Sequence, residues 1–334
     1  MRVTFINVGY GDAVLFQAES GYTALLDGGS ALPAEFAGDP YRIPAAEYLK
    51  SQGISHIDDL MISHIHEDHV CGLEPILEQT TVGRLFVPYP TEPFLGGQEL
   101  HPGPQAPRSV PLYTNALNAY RRILLRAVDQ SVPVTVLHAG DALELTEGLT
   151  VRVLAPKPAS IQSYIELVEN AYKTVGGPDR TTALLGQLDG MSNHTSLLLR
   201  FELEQTVLLA AADSCPRQWN EVPDFLLENV NVLKLPHHGQ IDSISEHFMA
   251  KMPLSHVITT ASSDRRYNSA NPAVYERLSA MAPAGRAPSF LFTDEREYPP
   301  YFSQPEGFQA ITLVMDSGGI RTEFIKINKK ENSR

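Results

Sequence analysis

Residues 60–69 read Leu-Met-Ile-Ser-His-Ile-His-Glu-Asp-His, a short apolar run that ends in three histidines and two carboxylates. Nothing else in the chain limits its fold so tightly. Four consecutive apolar or small residues bounded by polar ones are the mark of a buried strand. The polar cluster therefore sits where that strand leaves the sheet. In extended backbone, side chains two residues apart point the same way, so His64 and His66 can turn one ring nitrogen each toward a single cation. Asp68 and His69 then fall on the turn before the helical spacing of Val70, Leu73, Ile76 and Leu77. From there they reach toward a second cation beside the first, which one tetrahedral site would not require. A merely solvated loop gains nothing from such spacing at the end of a buried strand.

The rest of the chain supplies a scaffold for such a turn. RVTFINV, DAVLFQ and YTALLD open the chain as short strands separated by Gly9, Gly11, Ser20 and Gly21. A Pro-entered helix near 45–52 precedes the LMIS strand. Residues 88–111 hold seven prolines in 24 positions, too many for a helix or a central strand, so this is a loop. Its Tyr89 and Phe94 are placed either at a cleft or in ordinary packing. A helix over 112–128 follows, then strands VTVLH and LTVRVLA, and a helix over 161–174 closed by Gly176 and Gly177. SLLLRFEL and TVLLAAA form a hairpin. Beyond it the pattern alternates: helix near 218–228, strand VNVLKL, helix near 243–251, strand HVITTA, helix 272–281, strand SFLFT, and strands ITLVM and RTEFIKI. The expected class is α/β, two mixed sheets packed face to face with helices outside, in one domain over 1–330 carrying the Pro-rich loop as an insertion. With 26 basic and 39 acidic residues the net charge is −13, which disfavours a broad nonspecific grip on nucleic acid. Two cysteines, Cys71 and Cys215, cannot build a four-thiolate zinc site. The start lacks the layout of a signal peptide and no run is long enough to span a membrane, so a cytoplasmic location without membrane contact is expected. Gly9-x-Gly11 lacks the third glycine of a dinucleotide fingerprint.

The cluster resembles the HxHxDH signature of the metallo-β-lactamase fold superfamily, matched by His64, His66, Asp68 and His69 without a gap. NVGYGDAVLF and LLDGG are similar to the VGQGDA and LIDTG segments of the branch related to the competence protein ComEC. Asn193-His194-Thr195-Ser196, Asp213 after TVLLAAA, and LKLPHHG follow in the family's order. The resemblance implies an αββα sandwich and two ions, Zn²⁺ or alternatively Mn²⁺. It implies a first site of His64, His66 and His194, and a second of Asp68, His69 and one of His237 and His238, with Asp213 shared. His238 is the preferred member of that pair, because adjacent side chains diverge, and His237 then stands behind it or near the leaving group. Asp68, His237 and His238 are the residues expected at the reacting atoms. Three departures stand out. Ala211-Ala212-Asp213 lacks the family's glycine before the aspartate, Gln240 stands for a serine, and Tyr10 stands for a glutamine. The C-terminal Tyr-Gly-His-Pro is represented by Tyr267 to Pro272, with Asn271 where its histidine would be.

Two Zn²⁺ against the carboxylates of Asp68 and Asp213 leave about +2 locally, and about +1 with a bridging hydroxide, which favours an anionic substrate. The branch is associated with phosphodiester and nucleic-acid hydrolysis. The leading expectation is accordingly a dinuclear phosphodiesterase acting on a nucleic acid or nucleotide, with Arg265, Arg266 and Tyr267 holding phosphate and base. The alternatives are a lactonase or thioesterase of the same superfamily, and a metal-binding regulatory module that has lost turnover. Oligomeric state is not written in the sequence.

Overall fold

A computed structural model describes residues 1–173, 177–282, 286–294, 301–302 and 304–326. The ends of the expected helix over 161–174 and of the last strand thus lie partly outside the described residues. Among the described residues, fifteen strands make two sheets. The first holds β1 (Arg2–Ile6), β2 (Val14–Gln17), β3 (Thr23–Leu26), β4 (His56–Met61), β5 (Thr81–Val87) and β6 (Val134–Val136). The second holds β7 (Ala142–Thr146), β8 (Leu149–Ala155), β9 (Leu198–Leu203), β10 (Thr206–Ala210), β11 (Val232–Lys234), β12 (His256–Thr259) and β13 (Ser289–Phe292). The closing hairpin β14 (Phe308–Asp316) and β15 (Gly319–Lys326) returns to the first sheet beside β1, giving the order β15-β14-β1-β2-β3-β4-β5-β6. The second sheet runs β13-β12-β11-β10-β9-β8-β7.

Period-two alternation sorts each strand between two apolar layers. Val14, Phe16, Ala24, Leu26, Met61 and Phe86 point into the space between the sheets, where they meet Leu199, Phe201, Leu208 and Val232. The intervening Leu15, Leu25, Leu60 and Leu85 point outward onto helices Ala45–Ser51, Leu73–Gln79 and Ser109–Asp129. On the far side, Leu209, Leu233 and Val257 cover helix Pro272–Met281 through Val274, Tyr275 and Leu278. The result is the expected helix–sheet–sheet–helix stack.

Several expectations change. Residues 218–228 form no single helix but a turn of helix, Pro216–Trp219, and a 3₁₀ turn, Asp224–Leu226, because Pro223 interrupts between them. The helix expected over 243–251 is one turn, Glu246–Met249. Helix Pro178–Ser192, which the sequence pattern does not announce, opens on Gly177 and Pro178 and buries Leu185 and Leu188. In the Pro-rich segment, Tyr89 and Phe94 are buried among Tyr120 and Tyr164 and do not line a cleft.

Each sheet has a parallel half: β3 to β6 in the first, β10 to β13 in the second. Chain segments leaving the carboxyl ends of parallel strands gather at one edge, the usual place for a site in α/β sheets. The turn after β4 carries 62–69, that after β10 carries Asp213, and that after β11 carries 236–240. The approach is close enough to require glycine: a Cβ on Gly11 would lie 2.3 Å from the Asp68 carbonyl oxygen, and one on Gly72 2.0 Å from that of Gly28.

Candidate metal centre

Six of the seven expected ligands converge. Ligand atoms of Asp68, His69, Asp213 and His238 lie within 4.8 Å of one another, as do those of His64, His66 and Asp213, so Asp213 belongs to both groups. Asp213 Oδ1 is 3.4 Å from His69 Nε2 and 3.3 Å from His238 Nε2, while its Oδ2 is 4.0 Å from His64 Nε2. His238 Nε2 lies 3.0 Å from Asp68 Oδ2.

What orients the rings is a fixed partner on the opposite nitrogen. His69 Nδ1–H donates to buried Asp27 Oδ2 at 2.9 Å, and His238 Nδ1–H to the Thr260 carbonyl at 2.6 Å. Ser63 Oγ–H donates to Asp27 Oδ2 at 2.6 Å, which leaves its oxygen to accept from His64 Nδ1–H at 3.0 Å. His66 is turned the other way: its Nε2 faces Asp189 Oδ1 at 3.4 Å, and its Nδ1 lies 3.0 Å from His64 Nε2. One nitrogen of every ring is thus committed outward, the arrangement metal-binding imidazoles need. The inward atoms are left over. His69 Nε2, His238 Nε2 and Asp213 Oδ1 are buried without a hydrogen bond, a cost a bound cation would remove. By donor set and by these unpaired atoms, Asp68, His69, Asp213 and His238 fit a divalent ion, and His64 and His66 with Asp213 offer a second donor set.

Electrostatics agree. Burial alone would keep His69 and His238 neutral, but the facing carboxylates, chiefly Asp213, outweigh it and push His238 up to about 9 and His69 well above its usual value. Burial would raise Asp68 and Asp213, yet the histidines hold both below the usual carboxylate range. Burial and the adjacent rings of His69 and His66 push His64 the opposite way, toward the neutral form. The carboxylates therefore favour positive charge facing them, which protons on His69 and His238 supply in the metal-free chain and a divalent ion would supply in their place.

Asp213 keeps its aim despite the missing glycine, because Ala212 adopts φ +42°. His237 and His238 are left-handed as well, at +46° and +52°, and the backbone is pinned there by His237 N–H to the Ala212 carbonyl and Ala270 N–H to the His238 carbonyl. Such a conformation costs about 1 kcal/mol or more per residue and marks a functional turn. His237 lies outside both groups. Its Nδ1–H donates to Asp242 at 3.0 Å and its Nε2 accepts from Asn193 Nδ2 at 3.2 Å.

His194, expected at the first site, is not brought to it. The 3₁₀ turn Asn193–Thr195 rotates successive side chains by about 120°. Thr195 is held inward by Tyr89 and the Ser192 carbonyl, Asn193 faces His237, and His194 is left exposed. Of the rim residues, Arg265 and Tyr267 are exposed. Arg266 bonds Glu35 Oε2 at 2.6 Å and Asp264, so it is built into the rim and does not reach into the cleft. The thiols of Cys71 and Cys215 are pushed up by burial, away from the reactive thiolate.

Sequence reasoning misses the supports. Asp12 and Asp27 stand in GDA and LLDGG, but only the folded chain shows that Asp27 orients His69. With His69, these two form a third acidic group, and there Lys234 supplies the cation: its buried ammonium pairs with Asp12 and donates to the Ala212 carbonyl at 3.2 Å. Asp189 carries no local signal, because the pattern around it does not announce a helix.

Residues 6–170 match the family model described as the metallo-beta-lactamase superfamily. These residues form a metallo-beta-lactamase superfamily domain. It is also similar to ComE operon protein 3 of Bacillus subtilis (strain 168), 24% identical over 293 residues, covering 83% of this chain and 30% of that protein. The chain thus spans under a third of that relative. Among solved structures, a diphosphatase from the PhnP family is similar at 15% identity and TM-score 0.41, covering 87% of this chain and 94% of that one. Zn²⁺-bound PqqB from Methylobacterium extorquens is similar at 8% identity and TM-score 0.43, covering 88% and 98%. Superfamily members are mostly metal-dependent hydrolases. No helix among the described residues is long and apolar enough to cross a membrane.

Proposed function

We propose that this chain is a two-metal phosphodiesterase whose substrate is a nucleic acid or nucleotide. The observation that carries the reading is the single carboxylate, Asp213, shared by two groups of inward-facing ligands. Two divalent ions held there, Zn²⁺ or Mn²⁺, would supply hydroxide at neutral pH and Lewis acidity for the departing oxygen. The chain's own residues do the rest. With two divalent ions held, six ligands of which only two are carboxylates would leave the cleft positive in a protein of net charge −13, which favours an anionic ester. His237, held between Asp242 and Asn193, stands next to His238. The exposed ring of Tyr267 offers a nucleobase a stacking face above the cleft.

The test is hydrolysis of bis(p-nitrophenyl) phosphate by protein of measured metal content, with His66→Ala beside it. Turnover that vanishes in the variant supports the reading. Equal rates for both proteins, or none with two ions bound, overturn it and direct attention to lactones and thioesters.

A further inference from the structure

Two of the departures from the family's motifs, Tyr10 and Gln240, lie 230 residues apart in sequence and touch in the fold: Gln240 Nε2–H donates to Tyr10 Oη at 3.1 Å. The tyrosine is fixed at every other point as well. It stands between Gly9 and Gly11, at φ +76° and +137°, in the turn that packs on Asp68. Its backbone N–H donates to Glu35 Oε1 at 2.8 Å, and the other Glu35 oxygen holds Arg266. Its ring centroid is 4.4 Å from that of His238 and 5.4 Å from that of Tyr267, and the Arg266 guanidinium lies 5.7 Å over its face.

We propose that Tyr10 positions the substrate, donating its phenolic proton to a non-bridging phosphate oxygen beside His238. Gln240 occupies an acceptor lobe of the hydroxyl, so the O–H bond is steered away from it, toward the cleft side where Asp68 and Asp213 lie. An ordinary phenol keeps its proton at neutral pH. Those two carboxylates act as ligands when ions are bound, and the oxygen that then needs a donor is the substrate's. A ring placed there only to pack would need no hydroxyl and no glutamine. This assignment deepens the phosphodiesterase reading and rests on it for the class of substrate.

Tyr10→Phe keeps the ring and removes only the donor. On protein of equal metal content, calorimetric titration with inorganic phosphate is expected to show binding about 10- to 100-fold weaker in the variant, the loss of one hydrogen bond to a charged group. Gln240→Ala, which frees the hydroxyl without removing it, should weaken phosphate by about threefold. With bis(p-nitrophenyl) phosphate the Tyr10→Phe change should appear mainly in KM. Unchanged phosphate affinity overturns the proposal, and so does a variant that loses metal or melts lower, since the hydroxyl then acts on structure. The phosphodiesterase reading fails separately: wild type that binds phosphate through Tyr10 yet cleaves no phosphodiester would sink that reading and leave the positioning role intact. Wild type that binds no phosphate sinks both.

Discussion

The two ligand groups share Asp213 and little else. The second, Asp68, His69 and His238, is buried, apart from a partly covered Asp68, and its histidines are braced by Asp27 and the Thr260 carbonyl. In the first, His64 is buried and His66 partly covered, and the outer brace of His66, Asp189, comes from helix Pro178–Ser192 on the outer layer. One is set by the β-sheets, the other is finished by a separate helix. We expect a group fixed by the core to hold an ion more tightly than one closed by a surface helix.

Asp213→Ala removes the shared carboxylate and should have the largest effect. We expect a loss on the order of 10³-fold in kcat, about 4 kcal/mol of barrier, with metal content below two ions by elemental analysis. If two ions remain, the groups are independent. Asp27→Asn leaves His69 unbraced and is expected to weaken the tighter ion by about 10- to 100-fold in a chelator competition. Asp189→Asn should weaken only the looser ion, by about tenfold. Equal losses for these two variants would erase the distinction between the groups. His194→Ala, by contrast, should leave both affinities unchanged.

Acidity separates metal-free from loaded protein. In the metal-free chain His238 is raised to about 9 from an unfolded value of about 6.5. Its stabilisation is then fully present below about 6.5 and lost as pH rises through about 9. Thermal melts with chelator should therefore fall over that interval. With metal present the trend should reverse, because each proton that leaves a ligand strengthens binding. The smallest effect is at Ala212, where Ala212→Gly should relieve about 1 kcal/mol of left-handed backbone and raise Tm by a few degrees.

Much of the centre is legible in the amino-acid sequence. The i, i+2 histidines after LMIS give one group, and Asp68 with His69 on the turn gives the other, because strand and turn geometry are local. The sheets can be read because their strands alternate or run continuously apolar. What stays hidden depends on contacts distant in sequence. No spacing rule links Asp27 to His69, or Tyr10 to Gln240. His194 is misplaced by motif order, which locates a turn but not the side chain of a 3₁₀ turn that faces inward; Tyr89, 106 residues before Thr195, decides that by holding it. Helix Pro178–Ser192 escapes the pattern because Gly186 and Gly190 dilute its apolar face.

Lys234 carries a consequence for how the protein comes to maturity. Its ammonium is buried behind the ligands against Asp12, so the inner edges of the two sheets are neutralised against each other by the polypeptide itself. The chain is therefore expected to fold before any ion arrives, whereas loss of that lysine would leave the Asp12 charge buried and unpaired.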